Sequence, residues 1–383
     1  MFGEIVARAM RSPGISWRLL VLQCVPRPLP PCAAHLPPLG QESGALLRPL
    51  PPWTSAEPPS RRRLFLGEVE LRGAATLADL GAEGDSELAL VVAAALRVVT
   101  AGADGAARIW SAGSGECLLT LQGQAGLSSA AFSPDGHQVV TSSAEGLAKI
   151  WSAGSGECLL TLQGHQDWVL DAVFSPRGQH VVTACADNTA KIWSAGSGEC
   201  LLTLEGHRDC VTSAMFSLDG RQVVTSSHDG TAKIWSAGSG ECLLTLQDHQ
   251  DGLTSAAFSP DGHQVVTSSH GNAAKIWSVG SGECLLTLQC EAIYAAFSPD
   301  GQEVLTSSPD GTAKIWSAGS GECLVTLAGH QKMVNSGVFS PDGHEVLTAS
   351  DDGTAKLWSA GSGERLRTLD VRCEVMFASF SPQ

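Results

Sequence analysis

Three residue types with the means to do chemistry recur at fixed spacing along this chain. His207, Thr225 and Asp229 form one set, and the same order returns at His165, Thr183 and Asp187 and at His330, Thr348 and Asp352. A hydroxyl, an imidazole and a carboxylate are the parts of a nucleophile, its general base and the acid that orients the base. A catalytic site is normally single and set in a cleft with an oxyanion donor set. Here the trio is written three times and ends each time on an apolar Trp (Trp193, Trp235, Trp358), so holding structure together is the stronger reading. Other chemical signatures are weaker. "HRD" at His207 to Asp209 copies part of a kinase catalytic loop without the Gly-rich loop and Lys strand that should accompany it. "GSG" recurs between two strands with no helix behind it, which makes it a turn rather than a phosphate cradle. His228 and His270 could ligate a metal or sense pH, but no Cys or carboxylate accompanies both. With no C-x-x-C pair, neither a metal nor any other cofactor is expected.

The elements that carry these residues repeat with a period of about 42. Trp110, Trp151, Trp193, Trp235, Trp277, Trp316 and Trp358 follow one another at 41, 42, 42, 42, 39 and 42 residues. Within one unit, "VTSAMFS", "RQVVTSS", "TAKIWS" and "ECLLTL" read as four strands separated by "LDG", "HDG" and "AGSG" turns. Short strands joined by Gly and Asp turns, with no helical period, make an all-β unit of four antiparallel strands. Alternation puts Ala232 and Ile234 on one face, Lys233 and Trp235 on the other, and Cys242, Leu244 and Leu246 together. Such a sheet has two apolar faces, and stacking sheets radially buries both.

The order "GH", "FSPDG", "TSSxDGTAKIW", "CLxTL" resembles the WD-repeat (β-transducin-like) family, with near-verbatim copies in the style of high-identity tandem arrays. The resemblance covers residues 86–370 and implies a seven-bladed β-propeller of four-stranded antiparallel blades, with eight-bladed closure as the alternative. It also implies a buried tetrad in each blade: His165, Thr183, Asp187 and Trp193; His207, Thr225, Asp229 and Trp235; His330, Thr348, Asp352 and Trp358. The other units are incomplete. Thr100, Asp104 and Trp110 lack a His; Gln124 and Glu145 replace His and Asp; His249 and Thr267 face Gly271; and three residues are missing around Cys290. Every unit has Trp-Ser where the family usually has Trp-Asp, and Ser makes a weaker version of the same local bond.

Charge and composition narrow the partners. Residues 1–72 carry nine Arg against five Glu, whereas the remainder carries 15 Lys and Arg against 34 Asp and Glu. An acidic body with no basic stripe disfavours nucleic acid, and no apolar run approaches the roughly 18 to 20 residues of a membrane span. Six cysteines (Cys117, Cys158, Cys200, Cys242, Cys284, Cys323) occupy one repeat position and read as small buried hydrophobes of a cytoplasmic or other reducing intracellular protein. Residues 1–62 hold 12 of the 19 prolines and read as a mostly disordered extension, with a transit peptide as the competing reading of its Arg-bearing start. Residues 63–85 form a strand or helix lead-in, read as a hairpin and helix of its own, and 371–383 a partial repeat strand.

Comparing the units shows where the words change. Variation gathers at the approach to the first strand (Trp168, Leu170, Cys210, Thr212, Tyr294, Met333, Asn335) and before the tight turn (His228, His270, Asp351). The resemblance places both regions at the mouth of the central channel, where propellers bind peptides or proteins. The expected function is a non-enzymatic scaffold or recognition module for proteins of unspecified identity. An enzyme with a channel site and a vestigial repeat product are the alternatives; no converging acid and base stand out for the former.

Overall fold

The computed structural model describes residues 96–123, 125–247, 249–269 and 273–382, together with four strands nearer the N-terminus. Those four, Ile5–Arg8, Arg63–Leu66, Val69–Leu71 and Glu87–Val91, form an antiparallel sheet within Met1–Ala94 in the order first, fourth, second, third. The rest of residues 1–95, and with it most of the expected extension, lies outside the described residues.

Residues 96–382 make a seven-bladed β-propeller. The blades are seven four-stranded antiparallel sheets, six of them built from consecutive strands that begin at Leu127–Phe132, Val169–Phe174, Val211–Phe216, Leu253–Phe258, Tyr294–Phe297 and Val334–Phe339; these are blades 2 to 7. Blade 1 is assembled from both ends of this unit. Val375–Phe380 pairs antiparallel with Arg97–Gly102, which is followed by Ala106–Ser111 and Cys117–Gln122. The tail is therefore the inner strand of the first blade, which corrects both the boundary at 370 and the eight-bladed alternative. The propeller also begins after 86, because Glu87–Val91 pairs with the N-terminal strands instead. The first unit supplies only three strands, and the ring closes because the tail supplies the fourth.

Alternation explains the packing. Val224, Ala232, Ile234 and Leu246 of blade 4 meet Leu253, Ala256, Phe258, Val265 and Trp277 of blade 5, while Trp235 packs the other way, with blade 3. Seven such clusters join consecutive blades, the last between blades 7 and 1. Each Trp brings a large apolar area to one of these seams.

The repeated cysteines depart from expectation: Cys117, Cys158, Cys200, Cys242, Cys284 and Cys323 are free and exposed. The reason is a register shift in every outer hairpin. Ile234 pairs with Leu244 but Trp235 with Cys242, so one residue is skipped and Cys242 leaves the face that buries Leu246. In the turns after the Trp strands, Ser152 Oγ accepts the Ser155 N–H at 3.2 Å and Ser236 Oγ the Ser239 N–H at 3.3 Å, the local bond expected of Ser in place of Asp. Among the described residues no helix is long and apolar enough to cross a membrane.

Candidate functional site

The expected tetrads form in blades 3, 4 and 7. In blade 4 the Trp235 Nε1–H donates to Thr225 Oγ1 at 2.8 Å, Thr225 Oγ1 lies 2.7 Å from His207 Nε2, and His207 Nδ1 lies 3.0 Å from Asp229 Oδ2. Blades 3 and 7 repeat this with His–Thr distances of 2.7 Å and His–Asp distances of 2.9 and 2.8 Å. A neutral imidazole satisfies the whole chain: Trp donates to Thr, Thr donates to Nε2, and Nδ1–H donates to the carboxylate. Burial holds the three imidazoles below their usual range against the opposing pull of Asp187, Asp229 and Asp352. The geometry matches a catalytic triad, but Thr183, Thr225 and Thr348 are completely buried and already accept from Trp. Those hydroxyls are closed to substrate, and the trio joins a turn to a strand.

The incomplete units each depart in their own way. Blade 5 keeps His249 Nε2 at 2.8 Å from Thr267, and Ser269 Oγ, 3.1 Å from Nδ1, serves where the Asp is missing. Gly271, Gln124 and His270 lie outside the described residues. In blade 1, Asp104 pairs with Arg108 at 2.6 Å, and Val371 is buried at the approach to the inner strand.

The predicted binding residues separate by role. Trp168 is 58% exposed and His228 is exposed, while Leu170, Cys210, Met333 and Asp351 are partly buried. Thr212 Oγ1 instead donates to Leu253 O of the next blade at 3.0 Å, and Asn335 Nδ2 donates to Val375 O at 2.9 Å and Asp351 Oδ1 at 2.6 Å. These two tie blades together.

Tyr294 belongs to a ring of residues around the axis that sequence comparison passed over. One register position of the inner strands, the third residue in six blades and the first of the shorter strand Tyr294–Phe297, holds Ser129, Asp171, Ser213, Ser255, Tyr294, Ser336 and Phe377. Ser129 Oγ accepts the Ala172 N–H, Ser213 Oγ that of Ala256, and Ser255 Oγ that of Ala295, all at 3.0 Å, so the inner strands of blades 3, 5 and 6 lean on the one before. Asp171 keeps this role at 3.3 Å toward the Ala214 N–H. Tyr294 meets Phe377 edge to face at 5.7 Å, reaching past blade 7. Asp171 and Tyr294 hold the same register position in blades 3 and 6, on opposite sides of the ring. Burial pushes the Asp171 carboxyl up to about 6, despite hydrogen bonds from Ala214, Ser129 and Ala172. The channel thus contains an acid that unit comparison did not anticipate. The signal was present in one column of the repeats, read S, D, S, S, Y, S, F.

No curated protein matches the chain. The family model for WD domain, G-beta repeat matches residues 115–152, 156–194, 198–236, 240–278, 282–317 and 321–359. Six contiguous matches against seven blades follow from blade 1 being split between the two ends of the propeller. These matches span more than half of the sequence, and the chain belongs to the WD domain, G-beta repeat family.

Proposed function

We propose that the propeller is a non-enzymatic recognition module that takes a segment of a partner protein over the channel mouth and directs a basic side chain of that segment toward Asp171. Family membership supports the coarse role of a protein-interaction scaffold. The observation that carries the finer reading is the Asp171 carboxylate, retained in a channel where burial opposes its charge. A group kept at such a cost marks functional sites more often than random surface positions. Tyr294 and Phe377 supply aromatic faces in the same channel, suited to a cation. Trp168, three residues before Asp171, offers an exposed ring of the type that anchors interfaces. Among the described residues Asp171 is hydrogen-bonded by Ala214, Ser129 and Ala172 and by no base, which suits binding better than reaction.

Affinity purification of the full chain with quantitative mass spectrometry tests the proposal. The expected result is a reproducible partner lost with Asp171→Ser and with Trp168→Ala, and recovered as a Lys- or Arg-bearing peptide that binds the wild-type protein alone. Retention of the same partners by both variants overturns it.

A further inference from the structure

We infer that Asp209, Cys210 and His228 form a surface site for a thiophilic divalent cation such as Zn²⁺ on blade 4. One ligand atom from each residue, a carboxylate oxygen, a thiol sulfur and an imidazole nitrogen, lies within 4.8 Å of the others. Tetrahedral zinc has bonds of roughly 2.3 Å to sulfur and roughly 2.0 to 2.2 Å to nitrogen and oxygen. Such bonds set ligand atoms roughly 3.3 to 3.7 Å apart, so closing the site takes side-chain rotation of about 1 Å. Asp209 and His228 are exposed.

The backbone holds the three residues in place. Asp209 and Cys210 sit immediately before the inner strand Val211–Phe216, and His228 follows the second strand Gln222–Ser227. The His228 N–H donates to Cys210 O at 3.0 Å, and Ser227 Oγ donates to Asp209 O at 2.9 Å, which clamps one turn to the other. Gly252 of the next blade keeps the imidazole accessible: a Cβ there would stand 3.0 to 3.2 Å from His228 Cα, O and Cδ2. Other units carry Trp168, Cys210 or Met333 in that column.

Donor chemistry selects the ion. One sulfur, one nitrogen and one oxygen suit zinc and its borderline neighbours, whereas Mg²⁺ and Ca²⁺ prefer oxygen alone. Three protein ligands leave a fourth position open, as in zinc sites that engage a further group. Asp209 brings a carboxylate to the site, and metal binding there would release the Cys210 thiol proton. The other cluster of similar composition, His165, Cys185 and Asp187, is already used. His165 bonds Asp187 and Thr183, so a metal there would dismantle the blade 3 tetrad.

Titration of the full chain with Co²⁺, followed by Zn²⁺ competition, tests this site independently of any partner. The expected result is one equivalent of four-coordinate cobalt with a thiolate-to-cobalt charge-transfer band in the near ultraviolet. Zn²⁺ should abolish the band. Cys210→Ser should remove it, His228→Gln and Asp209→Asn should each weaken binding at least tenfold, and Cys242→Ser on the exposed edge should leave it unchanged. If Cys210→Ser fails to fold, loss of the band in His228→Gln carries the test, because His228 is exposed. No cobalt band in the wild-type protein, or a band that survives both Cys210→Ser and His228→Gln, overturns the inference.

Discussion

Blades 4 and 6 share a plan and differ by one imidazole. Both keep the Trp–Thr bond at 2.8 Å, and both keep the turn Asp, with Asp229 and Asp310 each accepting from the Thr two residues on. In blade 6 the chain is three residues shorter and no His arrives. A cavity of about 170 Å³ opens there, lined by Cys290, Glu291, Thr306, Ser308, Asp310 and Lys314. Blade 1 answers the same loss differently, with Val371 buried and Asp104 paired to Arg108. The comparison teaches that the tetrad has two separable halves. The Trp–Thr bond, made inside one hairpin, is kept by all seven blades. The His arm is made between the approach segment and the tight turn, and it is the half that a short deletion removes.

The largest expected effect follows from cutting that arm where it is intact. His207→Ala should lower unfolding stability by about 3 kcal/mol, since it deletes two hydrogen bonds, leaves Thr225 and Asp229 without them and opens a cavity. Thr306→Val in blade 6, which removes the hydroxyl that accepts from Trp316, should cost about half as much. Denaturant titrations of both variants check the ratio, and unchanged stability in His207→Ala would mean that the His arm adds nothing to blade 4.

Acid sharpens the same contrast. The imidazoles of blades 3, 4 and 7 are held below their unfolded range, so the unfolded chain binds protons that the folded one refuses. Stability is whole above the unfolded His range and falls as pH drops below about 6.5, by up to ~1.4 kcal/mol per pH unit for each imidazole. Asp229, held down to about 2, adds a loss in the same direction as pH falls from about 4 toward 2. His207→Gln should flatten the slope between pH 6 and 5 by one imidazole's share, measured by unfolding at matched ionic strength. An unchanged slope would show that His207 does not titrate with folding.

Asp171 and Ser213 provide a second pair, at one register position in adjacent blades. The carboxyl has its proton affinity raised in the folded protein, so its ionised form opposes folding above pH 6, and this opposition disappears as pH falls below about 4. Asp171→Ser should therefore stabilise the protein by about 1 to 3 kcal/mol at neutral pH and by nothing near pH 4, allowing for solvent in the channel. The new hydroxyl inherits the role that Ser213 plays toward Ala256. Thermal unfolding at both pH values decides it, and destabilisation at pH 7 would count against a strained carboxylate.

How far the sequence disclosed these features depends on where their causes lie. Blades, turns and tetrads were legible because each is written within one period, and Trp235, Thr225 and Asp229 sit within eleven consecutive residues. The His slot was legible because it lies at a fixed offset. Closure was less so, since Val375–Phe380 and Arg97–Gly102 meet across the whole propeller. The exposure of Cys242 could not be read from alternation, because the register shift beside Trp235 breaks it. Asp171 and Phe377 are visible letters in a strand column, and only the ring shows that this column faces the axis. Asp209, Cys210 and His228 converge through turn geometry, which the identity of the letters alone does not specify.

The smallest effect tests the ring at its finest grain. In blades 2, 4 and 5 the axis Ser bonds a Ser on the second strand, at 2.9, 2.8 and 2.8 Å. Blade 7 keeps Ser336 but has Ala349 opposite, and blade 6 keeps Ser307 but has Tyr294 opposite. Ser336 Oγ and Ser307 Oγ are the two buried side-chain polar atoms without a hydrogen-bond partner among the described residues. Each is the survivor of a broken pair. Ala349→Ser should restore a partner and stabilise by about 1 kcal/mol, and Ser336→Ala should gain a similar amount by removing the orphan. The double variant should gain no more than either alone, since the introduced hydroxyl is itself an orphan once Ser336 is gone. A double-mutant cycle reads this coupling directly, and additive gains would mean that the two positions do not face each other in the seventh blade.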